Sequence, residues 1–332
     1  MGSGLVSVII PVYNAGGLLE RAIRSVQGQT HQQFEIIVVD DGSNDGSLEM
    51  ARKLAAGEPR IKVDQIAHSG GPARPRNHGI QRASGEFIAY LDQDDQWYPR
   101  KLERQVARFR ETDCAVVYSD AVFVDELSPQ KRLLVTELPA HRERYGHVDG
   151  GLPRGQVQRE LIMGNFAAQL TVVIRADWVR KAGKMDERAV GVDCYEYLLR
   201  IALAGGEFEA VHEPLAVHYR GSLSRDQEIA QAHTLRFFRD FAPRFPQYRE
   251  HWTFRIRDYE GALIARRLEW IADRSLPLTE RLSRFYDLLW LHPRRGQVTR
   301  AAKALLPPAI RRSLRGIFGR IIGRNRSASR SR

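Results

Sequence analysis

Three carboxylates stand within four residues, at Asp92, Asp94 and Asp95, directly after the apolar run 87–91 in the stretch GEFIAYLDQDDQWYP. The run has the length and the aromatic and β-branched content of a buried strand, so the acids fall at its carboxyl end. In open α/β sheets ligands bind in the crevice outside the carboxyl ends of the strands, which turns these side chains toward a ligand rather than a core. Clustered carboxylates repel one another. A divalent cation relieves that repulsion and accepts phosphate oxygens as well, so the chemistry on offer is a metal-nucleotide site. Taken alone, a D-x-D-D is equally a solvated acidic turn opening the helix at Pro99.

The preceding residues supply the scaffold. A nearly continuous apolar run over 5–12 (LVSVIIPV) reads as a strand, punctuated by Tyr13-Asn14 and Gly16-Gly17. Apolar positions 18, 19, 22, 23 and 26 form a helical stripe ended near Gly28, and a second strand over 34–39 (FEIIVV) runs into Asp40-Asp41-Gly42. Helices over 47–56, 72–83 and 99–110 then alternate with strands over 61–66, 86–91 and 114–118. Strands joined through helices by short connections predict an α/β fold: a doubly wound, mostly parallel sheet with helices on both faces. No G-x-G-x-x-G follows the first strand and no G-x-x-x-x-G-K occurs, so neither a dinucleotide fingerprint nor a P-loop is present. What remains is acid chemistry. One Asp can accept hydrogen bonds from a base or ribose while another set holds a metal on the phosphates.

The segments VSVIIPVYNAGGLLERAIRSVQGQT, FEIIVVDDGSNDGS and GGPARPRNHGIQRASGEFIAYLDQDDQWYPRKLE, in this order and spacing, resemble the nucleotide-binding half of the family 2 glycosyltransferases. The resemblance covers about the first 110 residues. It implies a GT-A fold, an inverting transfer and a nucleotide-diphospho-sugar donor held with Mn²⁺ or Mg²⁺. It also implies that Pro11, Val12, Tyr13 and Asp41 line the nucleoside pocket, that Asp92 faces the ribose and phosphates with Gln93 beside it, and that Asp94 ligates the metal. Arg76-Asn77 matches the family's Arg-Asn pair, so Arg76 is expected to support the acids or the phosphates, against the plainer role of a salt bridge holding a helix to the sheet.

Downstream, VGVDCYEYLLRIAL (190–203) is similar to the family's catalytic helix. Aligned through Glu196 and Arg200, the family's Glu-Asp pair falls on Asp193-Cys194, so a cysteine stands where the second acid is credited as the base. A thiol has the wrong length and charge to deprotonate an acceptor hydroxyl at neutral pH. Asp193 is then the expected base, with Glu196 as its competitor. Outside this context Asp193 reads as a helix cap. After the helix, Tyr219-Arg220 matches a Tyr-Arg pair that precedes a His in the family, but Ser222 occupies that site. Arg220 or His218 is the candidate substitute on the diphosphate.

The implied organisation is a nucleotide-sugar half over 1–118, an acceptor-binding and catalytic half over 119–224 with an irregular region over 120–166, a helical extension over 225–295, and a basic tail over 296–332. The helices of the extension are expected to pack on the catalytic domain or on a second copy in a homo-oligomer. Net charge is +11, yet residues 294–332 hold 12 of the 51 Lys and Arg and no acid, leaving 39 basic against 40 acidic residues elsewhere. In that tail apolar residues at 310, 314, 317, 318, 321 and 322 oppose Arg311, Arg312, Arg315, Arg320 and Arg324. Such a basic amphipathic helix suits an anionic membrane surface at roughly 1 kcal/mol per basic residue. It suits nucleic acid poorly, with only Phe318 able to stack. No run of 18 apolar residues exists, and Pro11 together with the lack of preceding basic residues argues against a signal peptide. Cys114 and Cys194 read as reduced thiols. The expected setting is the cytoplasm, peripherally on the inner leaflet, with a glycan or lipid-linked glycan acceptor in surface-polysaccharide assembly. Two rivals remain: a donor-binding protein without transferase activity, motivated by Cys194, and a nucleotidyltransferase, for which residues 11–17 lack the glycine-rich basic signature.

Overall fold

The computed structural model describes residues 4–124, 133–134, 155–219 and 227–272. The chain forms two compact units, Met1–Arg255 and Ile256–Arg332. Of the second, residues 256–272 are described and are helical.

In the first unit β1 (Val6–Val12) and β2 (Phe34–Asp40) are buried at every position, as befits strands covered on both faces. Between them α1 (Leu18–Gln27) turns Leu19, Ala22, Ile23 and Val26 inward. The next elements are α2 (Ser47–Ala56), β3 (Ile61–Gln65), α3 (Ala73–Arg82), β4 (Phe87–Tyr90), β5 (Gln96–Trp97), α4 (Lys101–Glu111), β6 (Val116–Val124) and β7 (Leu133–Leu134). They are followed by α5 (Val157–Met163), β8 (Val173–Arg175), α6 (Ala176–Ala182), α7 (Asp193–Leu203), β9 (Phe208–Tyr219), α8 (Gln227–Phe241) and the start of α9 (Arg249–Ala272), which continues into the second unit.

Among the described residues the strands make one sheet in the order β3-β2-β1-β4-β8-β6-β9-β5, with β7 on β6. β1, β2, β3 and β4 pair in parallel; β8 then runs antiparallel to both β4 and β6, and β9 is parallel to β6. Six strands therefore share one direction, and the mostly parallel α/β sheet expected from sequence is present. Register does the rest. Val12 pairs with Asp40 and Ile9 with Tyr90, so the carboxyl ends of β1, β2 and β4 lie side by side and release Tyr13, Asp41 and Asp92 onto one rim. Helix α3 lies so close to β1 that a Cβ on Gly79 would sit 2.5 Å from Ile9 Cγ2, a contact only glycine permits. Arg76, three residues earlier on the same helical face, is carried toward that rim.

The second half departs from the expected elements. The apolar stretch AQLTVVIR (168–175), which has the composition of one strand, is split: Gln169–Thr171 forms a 3₁₀ turn in which Thr171 Oγ1 donates to the Ala168 carbonyl, and only Val173–Arg175 is extended. Side chains rather than a ladder take the turn's carbonyls, with Trp97 Nε1 donating to Leu170 O (2.9 Å) and Gln105 Nε2 to Thr171 O (2.7 Å). Within the region expected to be irregular, β6 continues to Val124 and α5 is formed. Helix α7 is wedged between neighbours, Tyr195 Oη donating to Leu161 O in α5 and Tyr197 Oη to Val179 O in α6. The end of the helical extension beyond residue 272 and the basic tail lie outside the described residues.

Candidate active site

Three loops meet at the rim beyond β1 and β2. Backbone N–H groups of Asn14, Ala15 and Gly16 donate to Ser43 Oγ, Ser47 Oγ and Asp45, lacing the loop after β1 to the loop after β2. This fixes Tyr13, which is 43% exposed and stacked on His68 with ring centroids 4.1 Å apart. Asp41, 2% exposed, accepts the Ser69 N–H on both oxygens at 3.0 Å. His68 Nδ1 lies 3.0 Å from the Asp41 carbonyl and 3.1 Å from its Oδ2. Gly42, at φ +75°, makes this approach feasible, because a Cβ there would be strained and 3.1 Å from the His68 backbone N. An aromatic face beside an acceptor-only carboxylate suits a planar heterocycle carrying an N–H. Of residues 11–13, expected to line this pocket, Pro11 and Val12 are instead buried in the sheet, and Tyr13 alone offers a side chain. Val12 contributes through its backbone, its carbonyl accepting from Asp41 N at 2.7 Å.

Gln93 holds the loop after β4 to Tyr13 by a pair of bonds: Tyr13 N donates to Oε1 (2.8 Å) and Nε2 donates to Tyr13 O (3.1 Å). Its amide is thus a brace between two strand ends rather than a group turned to a ligand. Asp92 and Asp94 on the same loop are half-buried. Burial, and then the charge of Asp92, pushes the Asp94 carboxyl above its ordinary range. Arg21 Nη2 donates to the Asp94 carbonyl at 2.9 Å and lies over the Tyr219 ring at 4.1 Å. Asp95 is 1% exposed and faces inward, meeting His218 Nδ1 at 3.0 Å and the Tyr219 N–H at 3.1 Å. Burial works against the His218 charge, but the Asp95 carboxylate outweighs it and raises its pKa.

Among the described residues no three His, Cys, Asp or Glu converge as a closed metal cage. Magnesium-like ions are commonly held by one or two carboxylates plus substrate phosphates, and Asp94 with Asp92 fits that donor set.

A further wall of the site is built by α7. Its first residue, Asp193, is 4% exposed, and its Oδ2 lies 2.5 Å from Arg76 Nη1, while Arg76 Nη2 lies 2.6 Å from Asp92 Oδ1. One buried guanidinium therefore joins acids 101 residues apart in sequence. Burial opposes its charge, but Asp92 and Asp193 outweigh that and raise its pKa. Cys194 is buried, and burial pushes its thiol well above the usual thiol range. Glu196 is gripped by Arg200 at 2.6 and 3.0 Å, and Arg200 in turn donates to the carbonyls of Ala182 and Lys184. That network fastens α7 to the end of α6, a structural task.

The acids expected at the site thus gather: Asp41, Asp92 and Asp94 on the rim, and Asp193 joined to Asp92. Arg76, expected toward acids or phosphates, has both Nη atoms on carboxylates. Arg220 lies outside the described residues. Sequence reasoning gave no part to His68, for which no spacing signal exists, and none to Asn77 beyond its place in a pair.

Comparison with known proteins adds a family. The model described as "Glycosyl transferase family 2" matches residues 7–164. The Bacillus subtilis putative teichuronic acid biosynthesis glycosyltransferase TuaG is 39% identical over 115 residues, 35% of this chain and 46% of that protein. An uncharacterized Haemophilus influenzae glycosyltransferase is 35% identical over 136 residues, 41% of this chain and 54% of that one. The matched segment spans about half the length of these relatives. Staphylococcus aureus TarS 1-349 in complex with UDP superposes with a TM-score of 0.58 at 18% identity, covering 92% of this chain and 84% of that one. Mannosyltransferase PcManGT of Pyrobaculum calidifontis, in complex with GDP-Man and Mn²⁺, gives 0.57 at 19% identity, covering 90% and 84%. The shared architecture is the GT-A fold.

Proposed function

We propose that this chain transfers a sugar, with inversion, from a nucleoside-diphosphate donor to a hydroxyl of a glycan, a reading supported by the match of residues 7–164 to the glycosyl transferase family 2 model and by the similar glycosyltransferases. Tyr13 and Asp41 take the nucleobase, the ring by stacking and the carboxylate by accepting an N–H. Asp94, with Asp92, would hold a divalent cation, whose chemistry is to neutralise charge on the departing diphosphate. The acceptor oxygen attacks C1 from the face opposite the nucleotide, the C1–O bond to the diphosphate breaks with its electron pair leaving on the phosphate oxygen, and the hydroxyl proton passes to Asp193. A positioned base of this kind contributes roughly 10²- to 10⁴-fold in rate.

The observation that carries this reading is the Asp92–Arg76–Asp193 bridge, which sets a carboxylate of the acceptor half beside the donor-side acids. Cys194, with its thiol pushed up by burial, is no base, and Glu196 is committed to Arg200. The test is Asp193→Asn. Transfer from a panel of UDP- and GDP-sugars should fall by about 10²-fold or more, while calorimetric affinity for UDP with Mn²⁺ is retained. Undiminished transfer would sink the assignment of the base. A wild-type protein that binds UDP with Mn²⁺ but transfers to no acceptor would favour a donor-binding role.

The acceptor we propose is lipid-linked, in surface-polysaccharide assembly. Its support is the basic amphipathic pattern of residues 308–324 and the teichuronic acid relative.

A further inference from the structure

Arg76 and Asn77 belong to α3, in the donor half, yet the Asn77 side chain and one arm of the Arg76 guanidinium reach the acceptor half. Asn77 Nδ2 donates to Met185 O at 3.0 Å, and Met185 N donates to Asn77 Oδ1 at 2.8 Å, so one amide clasps both backbone groups of a residue in the loop that leads to α7. Arg76 is 3% exposed, with Nη1 on Asp193 and Nη2 on Asp92. Its Nε is buried without a hydrogen-bond partner, and so is the Tyr90 hydroxyl. A side chain this enclosed, with both terminal nitrogens on carboxylates, does not offer itself to a phosphate. What it does offer is rigidity. The guanidinium is a planar fork, so two carboxylates bound to its two Nη atoms are held at a fixed separation and orientation.

We propose that Arg76 is a positioning residue that sets the Asp193 carboxylate against the donor-side acid Asp92, while Asn77 fixes the loop entering α7. This rests on the reading of Asp193 as the base. It adds that the base is held in place from the donor half, by a cation that touches neither substrate. Lysine keeps the charge but is a point donor on a flexible stem and cannot hold two carboxylates in one plane. A displacement of about 1 Å in a reacting group can cost on the order of 10²-fold in rate.

The test uses the full chain carrying Arg76→Lys, with and without Asp193→Asn. The expected result is a kcat lowered on the order of 10²-fold, a donor KM and an affinity for UDP with Mn²⁺ within about 3-fold of wild type, and an altered pH dependence of kcat. Once Asp193 is asparagine, the lysine should cause little further loss, because residues acting as a unit are non-additive. A weakening of UDP–Mn²⁺ binding by tenfold or more would make Arg76 a phosphate ligand and overturn the inference, and so would additive losses in the double variant. Asp193→Asn with wild-type turnover would remove the reading beneath it, an outcome distinct from either. If Arg76→Lys does not fold, Asp193→Glu serves instead. The anchored fork leaves no room to absorb an extra methylene, so kcat should fall about tenfold with UDP–Mn²⁺ affinity unchanged, and full kcat would overturn the inference.

Discussion

The two halves of the first unit hold their acids by different means. On the donor side Asp41 is held by the Ser69 N–H and by His68, and the Asp92–Asp94 loop is braced through the Gln93 amide. Strand ends, backbone N–H groups, the Gln93 amide and the Arg76 guanidinium on Asp92 do the holding, and Asp92 and Asp94 stay half-open to whatever arrives. On the acceptor side each acid of α7 is buried against a guanidinium, Asp193 on Arg76 and Glu196 on Arg200. A carboxylate meant to meet a cation and phosphates must keep lone pairs free. One meant to lie at the start of a buried helix needs a counter-charge, because an unpaired buried charge is costly. Asp92 and Asp94 thus stay half-exposed on the rim, while Asp193 and Glu196 are buried in ion pairs.

This contrast can be broken most severely at Glu196. If its pairing with Arg200 is structural, Glu196→Ala leaves a largely buried guanidinium short of its partner and should lower stability by about 3 kcal/mol, read as the shift in denaturation midpoint. At a temperature where the variant remains folded, transfer should persist. Asp193→Asn should behave the opposite way, losing turnover while melting near wild type. Should Glu196→Ala melt like wild type and lose turnover, the roles given to the two acids would have to be exchanged.

Much of the donor half could be read directly. Its strands are continuous apolar runs, its helices carry a clear stripe, and Asp41 and Asp92 follow β2 and β4 by one and two residues, so period and punctuation were sufficient. Strand β9 escaped, because Glu213-Pro214 interrupts its pattern and its register with β6 shifts between Ser119 and Ala121. A run broken by a bulge does not alternate. The Asp92–Arg76–Asp193 bridge was hidden for another reason. Which carboxylate a helix arginine meets is decided by packing across 117 residues, and spacing along a chain carries no trace of it. Gln93 shows the same limit, since its neighbours suggested a ligand group while its amide went to the backbone of Tyr13.

A smaller effect is expected at a buried acid away from the rim. Glu35 on β2 is 6% exposed. Burial would raise its carboxyl, but bonds from Lys62, Ser7 and Ser84 outweigh that and lower it to about 2. A depressed native pKa means the unfolded chain binds more protons in acid, so this stabilisation is complete above the unfolded value near 4.5 and fades as pH falls toward about 2. Replacing Glu35 by Gln should cost about 2 kcal/mol at pH 7. The two proteins should then converge in stability between pH 4.5 and 2, as urea titrations at several pH values would show. A constant difference across that window would mean the contribution is packing rather than charge.

The mildest perturbation separates the pocket wall from the acid beneath it. Tyr13 and His68 stack at 4.1 Å, too close for a nucleobase to lie between them, so a bound base takes an outer face of the pair and His68 acts as backing for Tyr13. His68 also meets Asp41, so two contributions are mixed in one residue. An aromatic pair is worth about 0.5–1.5 kcal/mol beyond its burial. Losing that support should weaken UDP or GDP binding in the presence of Mn²⁺ by roughly 2- to 10-fold in His68→Ala. His68→Phe keeps the ring and removes Nδ1, so it should recover most of the affinity if stacking dominates and little of it if orientation of Asp41 does. Affinity unchanged in His68→Ala would show that the donor half holds its nucleoside without this pair. The rim would then be rigid through its loops alone, as the lacing of residues 14–16 to Ser43, Asp45 and Ser47 already allows.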